Sequence, residues 1–348
     1  MQKIVLFEAG WVGDTIVTIP AMRTIREKFP DAYITRICSP VAEPILKNCP
    51  YIDLLLIYDR DGEHRETKGR LKLLNSIRKI EPDIFFNLHI PDINRWFRIY
   101  LRDNFFSLLT RAQIRAGYYS LGTGFLLTHG IKANRFHLSK YIVDLINELT
   151  TKVGCKPTRD LELWVDDDEK NHISEYLKKQ GVGNQDSVVA IHPGAKRPSR
   201  RWPVSRFIEI SKWLSKDTKV VITGGKEEVN LAQQISASTP GVITTSGTLT
   251  LMQTAALLER CGLFITNDTG IMHMAFALKI PTIALFGPGN VKRWVPPENK
   301  WLKVIHHSTL CSPCYRWECK DLSCMKAITV DEVKEAVLEM FRQNANLT

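Results

Sequence analysis

The sequence predicts an α/β protein built from two doubly wound, Rossmann-like halves. Three observations point there. The chain opens on an apolar strand, Lys3 to Phe7, a glycine loop, Gly10-Trp11-Val12-Gly13, a helix and a second strand, Tyr33 to Cys38; strand, helix, strand at this spacing is a βαβ unit of a parallel sheet. The same order restarts at Val188, after a charged stretch from Asp166 to Lys170 that opens a helix ending near Gly181-Val182-Gly183 and separates the two halves. A chain of 348 residues is too long for one typical core and comfortable for two α/β domains.

The elements follow in order. The first helix begins near Asp14 and carries Ile16, Ile19, Met22, Ile25 and Phe29 at helical intervals; Pro20 kinks it or marks a tighter start, and Pro30 ends it. A strand at Leu54–Tyr58, a helix around Leu71–Ile80, a strand at Ile84–Asn87, an Arg-rich helix, a strand at Gln113–Gly117 and a helix from Leu138 to Val153 complete the first half. The second half runs through the strand Val188–His192, the helix Val204–Leu214, the strand Lys219–Thr223 and a helix from Glu228 to Ser236. Short strands at Val242–Thr244 and Leu263–Thr266, a helix from Gly270 and the strand Thr282–Phe286 follow. Thr329 and Glu332 match the S/T-x-x-E capping box ahead of a last helix with Val333, Val337, Met340 and Phe341 on one face. The expected division is therefore 1–170, 171–328 and a C-terminal helix, 329–348, that packs back on the N-terminal half. Paired domains of this kind bind ligands in the cleft between them, at strand C-termini.

Composition narrows the partners. Hydrophobic residues make up 44% and charged residues 24%, an ordinary globular mix. No apolar run approaches the roughly 18 residues that span a bilayer, and Glu8 interrupts the first apolar stretch too early for a signal peptide. The expected location is cytoplasmic. A formal charge of +10 fits anionic partners of several kinds. Arg95, Arg98 and Arg102 recur at helical spacing beside Trp96, Phe97, Tyr100, Phe105 and Phe106. That is either a solvated edge of an amphipathic helix or a basic face for lipid headgroups or an acidic glycolipid. The absence of zinc-finger, RNP-type and bZIP patterns places nucleic acid well behind.

Four regions carry candidate chemistry. Gly13-Asp14, where a strand turns into a helix, offers either a helix cap or a carboxylate able to take a proton from an acceptor hydroxyl. Thr266 to His273 also ends a strand and opens a helix, so the N–H groups of Thr269 and Gly270 can approach an anion. His192-Pro193-Gly194-Ala195 ends another strand, and Lys196, Arg197, Arg200 and Arg201 follow; cations beside helix starts suit a diphosphate, a solvated basic loop being the alternative. Glu228, after Gly224-Gly225, is placed to accept from ribose hydroxyls or to sit on a helix's first turn. Neither G-x-G-x-x-G nor a P-loop motif occurs, against a dehydrogenase or a P-loop enzyme. The two D-x-D matches, Asp59-Arg60-Asp61 and the run Asp166 to Asp168, lie away from these loops, so charge neutralisation falls to Arg and Lys. Cys311, Cys314, Cys319 and Cys324 could hold a structural zinc, pack as reduced thiols or serve redox chemistry.

Together these pieces resemble glycosyltransferase family 9, the bacterial ADP-heptose:lipopolysaccharide heptosyltransferases, and especially the heptosyltransferase II type. The resemblance covers nearly the whole chain. It rests on Trp11-Val12-Gly13-Asp14, Arg200-Arg201-Trp202-Pro203, Gly224-Gly225-x-x-Glu228 and Asn267-Asp268-Thr269-Gly270-x-x-His273, with Cys311-Ser-Pro-Cys314 and Cys324-Met325. It implies a GT-B fold, in which two Rossmann-like domains face across a cleft, with the acceptor in the N-terminal half and the donor in the C-terminal half. It implies inverting transfer of heptose from ADP-heptose to the lipopolysaccharide inner core, without a catalytic cofactor and at the inner-membrane surface. On that resemblance Asp14 is the base, with Trp11 and Gly13 in the acceptor-side loop. Arg200 takes the place of a donor-phosphate lysine, with Arg201 beside it. Glu228 holds the adenosine ribose, and Asp268, Thr269, Gly270 and His273 form the diphosphate and sugar loop. Glu8 stands where many relatives carry a basic residue. Two rival classes remain: the same fold using another nucleotide sugar for a different surface glycan, and a non-catalytic nucleotide- or glycolipid-binding protein.

Overall fold

The structure is a computed structural model that describes residues 1–90, 96–297, 299–314 and 316–345; Arg95 lies outside them. The chain divides into two compact units, Met1–Trp164 with Lys292–Pro297, and Val165–Val291 with Glu298–Thr348.

In the first unit the order is β1 (Lys3–Phe7), α1 (Val12–Ile16), α2 (Ile19–Lys28), β2 (Tyr33–Cys38), α3 (Glu43–Leu46), β3 (Leu54–Ile57), α4 (Thr67–Ile80), β4 (Ile84–Asn87), α5 (Trp96–Leu109), β5 (Ile114–Tyr119), β6 (His129–Lys132) and α6 (Ile142–Thr151). The second unit starts with α7 (Asp167–Lys179), β7 (Val188–His192), α8 (Val204–Leu214), β8 (Lys219–Ile222), α9 (Val229–Ser238) and β9 (Ile243–Thr244). It continues with α10 (Leu251–Glu259), β10 (Leu263–Asn267), α11 (Gly270–Ala277) and β11 (Thr282–Phe286). The chain closes with α12 (Val291–Trp294), β12 (Leu302–His306), α13 (Ser323–Ala327) and α14 (Val330–Ala345).

Each unit is built on a parallel six-stranded sheet, ordered β3-β2-β1-β4-β5-β6 in the first and β12-β11-β10-β7-β8-β9 in the second. Counted from its own first strand, each sheet has the same doubly wound order, which reverses between β1 and β4 and between β7 and β10. Such a reversal leaves a crevice beyond the strand C-termini. The central strands β4, β7, β10 and β11 are buried throughout, which is why they read as continuous apolar runs rather than alternating ones.

Several local outcomes differ from expectation. The helix near Asp14 is two helices, α1 and α2, because Pro20 falls in the first turn of α2, where its missing N–H costs no hydrogen bond. The charged stretch at 166–170 opens a helix as expected: Asp166 is the N-cap of α7 and Asp167, Asp168 and Glu169 fill its first turn, facing the positive end of the helix dipole. The division falls at residues 164 and 165 rather than 170 and 171. Helix α14 was expected on the N-terminal half. Its Val333, Ala336, Val337 and Met340 are buried instead in the second unit's core with Trp202, Phe207 and Leu285. The larger of these side chains, Val333, Val337 and Met340, each contribute about 1.5–3 kcal/mol on burial. The capping box ahead of it forms: Thr329 N–H donates to Glu332 Oε2 at 2.7 Å and Glu332 N–H to Thr329 Oγ1 at 3.2 Å. Among the described residues no helix is long and apolar enough to cross a membrane.

Candidate active site

At the first switch point β1 delivers Glu8 and the glycine loop. Glu8 is buried, its Oε2 lies 3.0 Å from Nη2 of the fully buried Arg36 on β2, and its Oε1 accepts from the Gly10 N–H. This buried acid is thus neutralised from within the same sheet. A Cβ on Gly10 would lie 2.5 Å from Glu8 Oε1 and 2.7 Å from Asp14 Oδ2, so only glycine lets the chain pass between the two carboxylates.

Asp14 is not the helix cap. Trp11 occupies that position, and Asp14, in the first turn of α1, accepts the Trp11 N–H on Oδ2 at 2.9 Å. Gly13 is buried behind it and Trp11 is exposed. Asp14 lines a cavity of about 120 Å³ with Glu8, Thr18, His89, Ile146 and Trp294.

Sequence reasoning passed over the other wall of this cavity. Asn87 ends β4, and its Oδ1 accepts the His89 N–H at 3.2 Å while its Nδ2 donates to Asn104 Oδ1 at 3.1 Å. His89 Nδ1 lies 2.8 Å from Asp103 Oδ2, and Asp103 Oδ1 accepts from Arg102 Nε at 2.6 Å. Burial alone lowers the basicity of His89, but the hydrogen bond and charge of Asp103, with Glu8 and Asp14 nearby, more than offset it and raise it above the ordinary imidazole value. Burial likewise opposes ionisation of Asp103, yet His89 and Arg102 hold its carboxyl below the usual range. Arg102, read from sequence as part of a basic surface, therefore works inward. The only hint of this was an Asp between an Arg and an Asn in an otherwise apolar helix.

At the second switch point the loops after β7 and β10 are tied by Asn267. Its Nδ2 donates to the carbonyls of Pro193 and Gly194 at 2.9 and 3.1 Å, and its Oδ1 accepts the Trp202 N–H at 3.1 Å. This brings Arg200 to Asp268, Nη1 to Oδ2 2.9 Å, with the Asp268 side chain 4% exposed. Arg201 donates from Nε to the Ala195 carbonyl at 2.9 Å, which fixes the loop between them. Thr269 caps α11 in extended conformation and Gly270 opens it, so the first-turn amides of an eight-residue helix stand beside the Arg200–Asp268 pair. His273, one turn on, is buried, and burial with the charge of Arg200 pushes it down to about 3. His192, buried at the end of β7, is pushed down to about 4 in the same way. Both rings are neutral at ordinary pH. Glu228 follows β8 and accepts the Gly225 N–H on Oε2 at 2.8 Å; a Cβ on Gly194 would lie 2.6 Å from its Cγ, so it joins the same crevice. Residues 200, 228, 268, 269 and 273 thus gather around one crevice, where Arg200 and Asp268 meet each other rather than standing apart.

The D-x-D matches have structural duties: Asp59 Oδ1 accepts the Gly62 N–H at 2.9 Å, and the 166–168 run opens α7. Among the described residues no group of three or more His, Cys, Asp or Glu side chains is gathered closely enough to hold a metal ion. The four-thiolate zinc set is therefore not assembled: Cys311 is exposed, Cys319 Sγ accepts the Leu322 N–H at 3.4 Å, and Cys324 is buried. Burial, with Cys311 and Cys314 nearby as weaker causes, pushes the Cys324 thiol up. The segment lies beside the end of β11, where the Cys314 N–H donates to the Pro288 carbonyl at 3.0 Å.

Residues 105–324 match the profile of glycosyltransferase family 9 (heptosyltransferase). The chain belongs to glycosyltransferase family 9. It is similar over 99% of its length, at 26% identity, to lipooligosaccharide heptosyltransferase 2 of Campylobacter jejuni subsp. jejuni serotype O:2, of which 99% is covered. A family 9 glycosyltransferase from Veillonella parvula superposes with a TM-score of 0.83 at 21% identity, with 98% of each chain covered. Escherichia coli ADP-heptose lipopolysaccharide heptosyltransferase II superposes with a TM-score of 0.76 at 22% identity, covering 99% of this chain and 100% of that one. The family 9 chain is a glycosyltransferase, and its two sheets are those of the GT-B fold.

Proposed function

We propose that this glycosyltransferase moves heptose from ADP-heptose to the inner core of lipopolysaccharide, with inversion and without a catalytic metal. The observation that carries the reading is the placement of Asp14 at one switch point and of Arg200, Asp268 and Glu228 at the other, on a chain similar end to end to heptosyltransferase 2. Asp14 takes the proton of the acceptor hydroxyl as its oxygen bonds to the anomeric carbon. The bond from that carbon to the β-phosphate oxygen breaks, and ADP leaves with the electron pair. Arg200, Arg201 and the first amides of α11 stabilise the charge that develops on it. Arg200 Nη1 lies 2.9 Å from Asp268 Oδ2, and a guanidinium fork suits phosphate oxygens. Neutral His273 completes the wall without adding charge.

The lipid-borne acceptor brings the enzyme to the inner-membrane surface from the cytoplasmic side. Exposed Leu71 on α4 and Leu101, Phe105 and Leu108 on α5, beside exposed Arg98, support that orientation.

Melting curves with nucleotides test the donor. Ligand at 100 times its Kd stabilises a folded protein by about 2.7 kcal/mol, so ADP should raise Tm more than UDP or GDP at equal concentration. EDTA should leave initial transfer rates unchanged. A preference for UDP would move the enzyme to another nucleotide sugar, and activity lost to EDTA and restored by Mg²⁺ would overturn metal-free charge neutralisation.

A further inference from the structure

The mechanism above leaves His89 unused, although it faces the same cavity as Asp14. The loop that carries it follows β4, the strand across the switch point from β1, and three consecutive residues of α5 hold that loop. Asn104 bonds Asn87, Asp103 bonds His89 Nδ1, and Arg102 bonds Asp103. The Asp103 side chain is 3% exposed and that of His89 is 30% exposed. With Nδ1 turned to the buried carboxylate, the opposite edge of the ring, bearing Nε2, is the one left to the cavity. An imidazole held this way has a fixed tautomer and orientation, and its protonated form is supported from below.

We propose that His89, oriented by Asp103, is the cationic recognition point for an acceptor sugar bearing a carboxylate or phosphate close to the hydroxyl that is glycosylated. The inference rests on the reading of Asp14 and its cavity as the acceptor site. Charge bookkeeping across the cavity favours it: Glu8 is matched by Arg36, and Asp103 has Arg102 as well as His89. His89 and Asp14 thus face each other across the cavity as opposite charges, and the charge of His89 is freed for the acceptor as Asp14 takes up the hydroxyl proton. An acidic acceptor meets that charge while its hydroxyl meets Asp14. Among the described residues the other titratable groups near the ring are Glu8 and Asp14 on the β1 side, Arg36 behind Glu8, and Arg293, whose Nη2 donates to the Ile90 carbonyl at 2.8 Å, with Tyr100 of α5 near Asp103 and Arg293. Arg36 and Arg293 are fully buried, so neither offers its charge to a ligand in the cavity as His89 does.

The test is the pH dependence of the acceptor KM, measured with donor saturating. The imidazolium is present below the raised pKa of His89, so KM should be lowest on the acid side and rise as pH passes upward through it, with kcat changing far less. Asp103→Asn removes the main support of the charged form, and the rise should move to lower pH. His89→Gln should raise the acceptor KM about 10- to 100-fold at the low-pH plateau, the scale of a hydrogen bond to a charged group, and flatten its pH profile, with the donor KM unchanged. Two wild-type arms identify the anion: an acceptor with its carboxylate reduced to an alcohol, and one treated with phosphatase. Whichever modification reproduces the His89→Gln loss names the group, and should cost the variant nothing further. A His89→Gln enzyme with the wild-type KM profile, or wild-type use of both neutralised acceptors, overturns the proposal. The wild-type arms and Asp103→Asn decide the matter even if His89→Gln does not fold. Wild-type enzyme that transfers heptose while His89 proves silent defeats this inference alone; wild-type enzyme that transfers none defeats the reading beneath it.

Discussion

An Asp14→Asn enzyme should fold, bind ADP as the wild type does, and transfer sugar about 10²–10⁴ times more slowly, the usual cost of losing a positioned base. The substitution separates chemistry from structure because of what Asp14 does in the loop. Its Oδ2 accepts the Trp11 N–H at 2.9 Å from inside the first turn of α1. The Asn carbonyl accepts the same bond, and the volume is nearly unchanged. That matters where Gly10 passes so close to the carboxylate. The stability change should stay under about 1 kcal/mol, the scale of a first-turn charge lost to the helix dipole. Melting curves, ADP titrations and initial rates on the two proteins form one data set. Near wild-type transfer by a folded variant would remove Asp14 from the chemistry and leave it a loop-closing residue.

Arg200→Ala should lower kcat/KM about 10²–10³-fold, as removal of a preorganised donor to a developing anion does. It should also destabilise the second unit, because Asp268, 4% exposed, loses the guanidinium 2.9 Å from its carboxylate. The two effects can be told apart. Asp268→Asn in the Arg200→Ala background should recover part of the stability and none of the rate, a non-additivity expected of residues in contact. Arg200→Lys should keep the charge, lose the fork, and fall between. If Arg200→Ala transfers sugar at the wild-type rate once Asp268→Asn has restored its stability, Arg200 is only the partner of Asp268.

Much of this was legible in the amino-acid order because it is local. Buried parallel strands read as apolar runs, Thr329 and Glu332 announced the start of α14, and the donor loops carry their Arg, Asp and Thr within a few residues of strand ends. The site elements that escaped are held by partners far apart in sequence. Nothing near Glu8 points to Arg36, and nothing near His89 points to Asp103; both pairings exist only once β2 and α5 are laid against β1 and β4. The edge strands β6 and β12 were missed for a different reason. Each is largely half-buried, and their mixed sequences, HGIK and LKVIH, lack the apolar continuity of the central strands. The cysteine cluster is close in sequence, but the burial of its members is set by the fold: Cys311 is exposed, Cys314 and Cys319 are half-buried and Cys324 is buried.

The central claim is tested most directly by incubating the wild-type protein with ADP-heptose and an inner-core acceptor and analysing the product by mass spectrometry and NMR. The account predicts one heptose added per ADP released, with the anomeric configuration opposite to that of the donor and with EDTA present throughout. Release of ADP without a heptosylated product, retention of configuration, or transfer only from a different nucleotide sugar would contradict it.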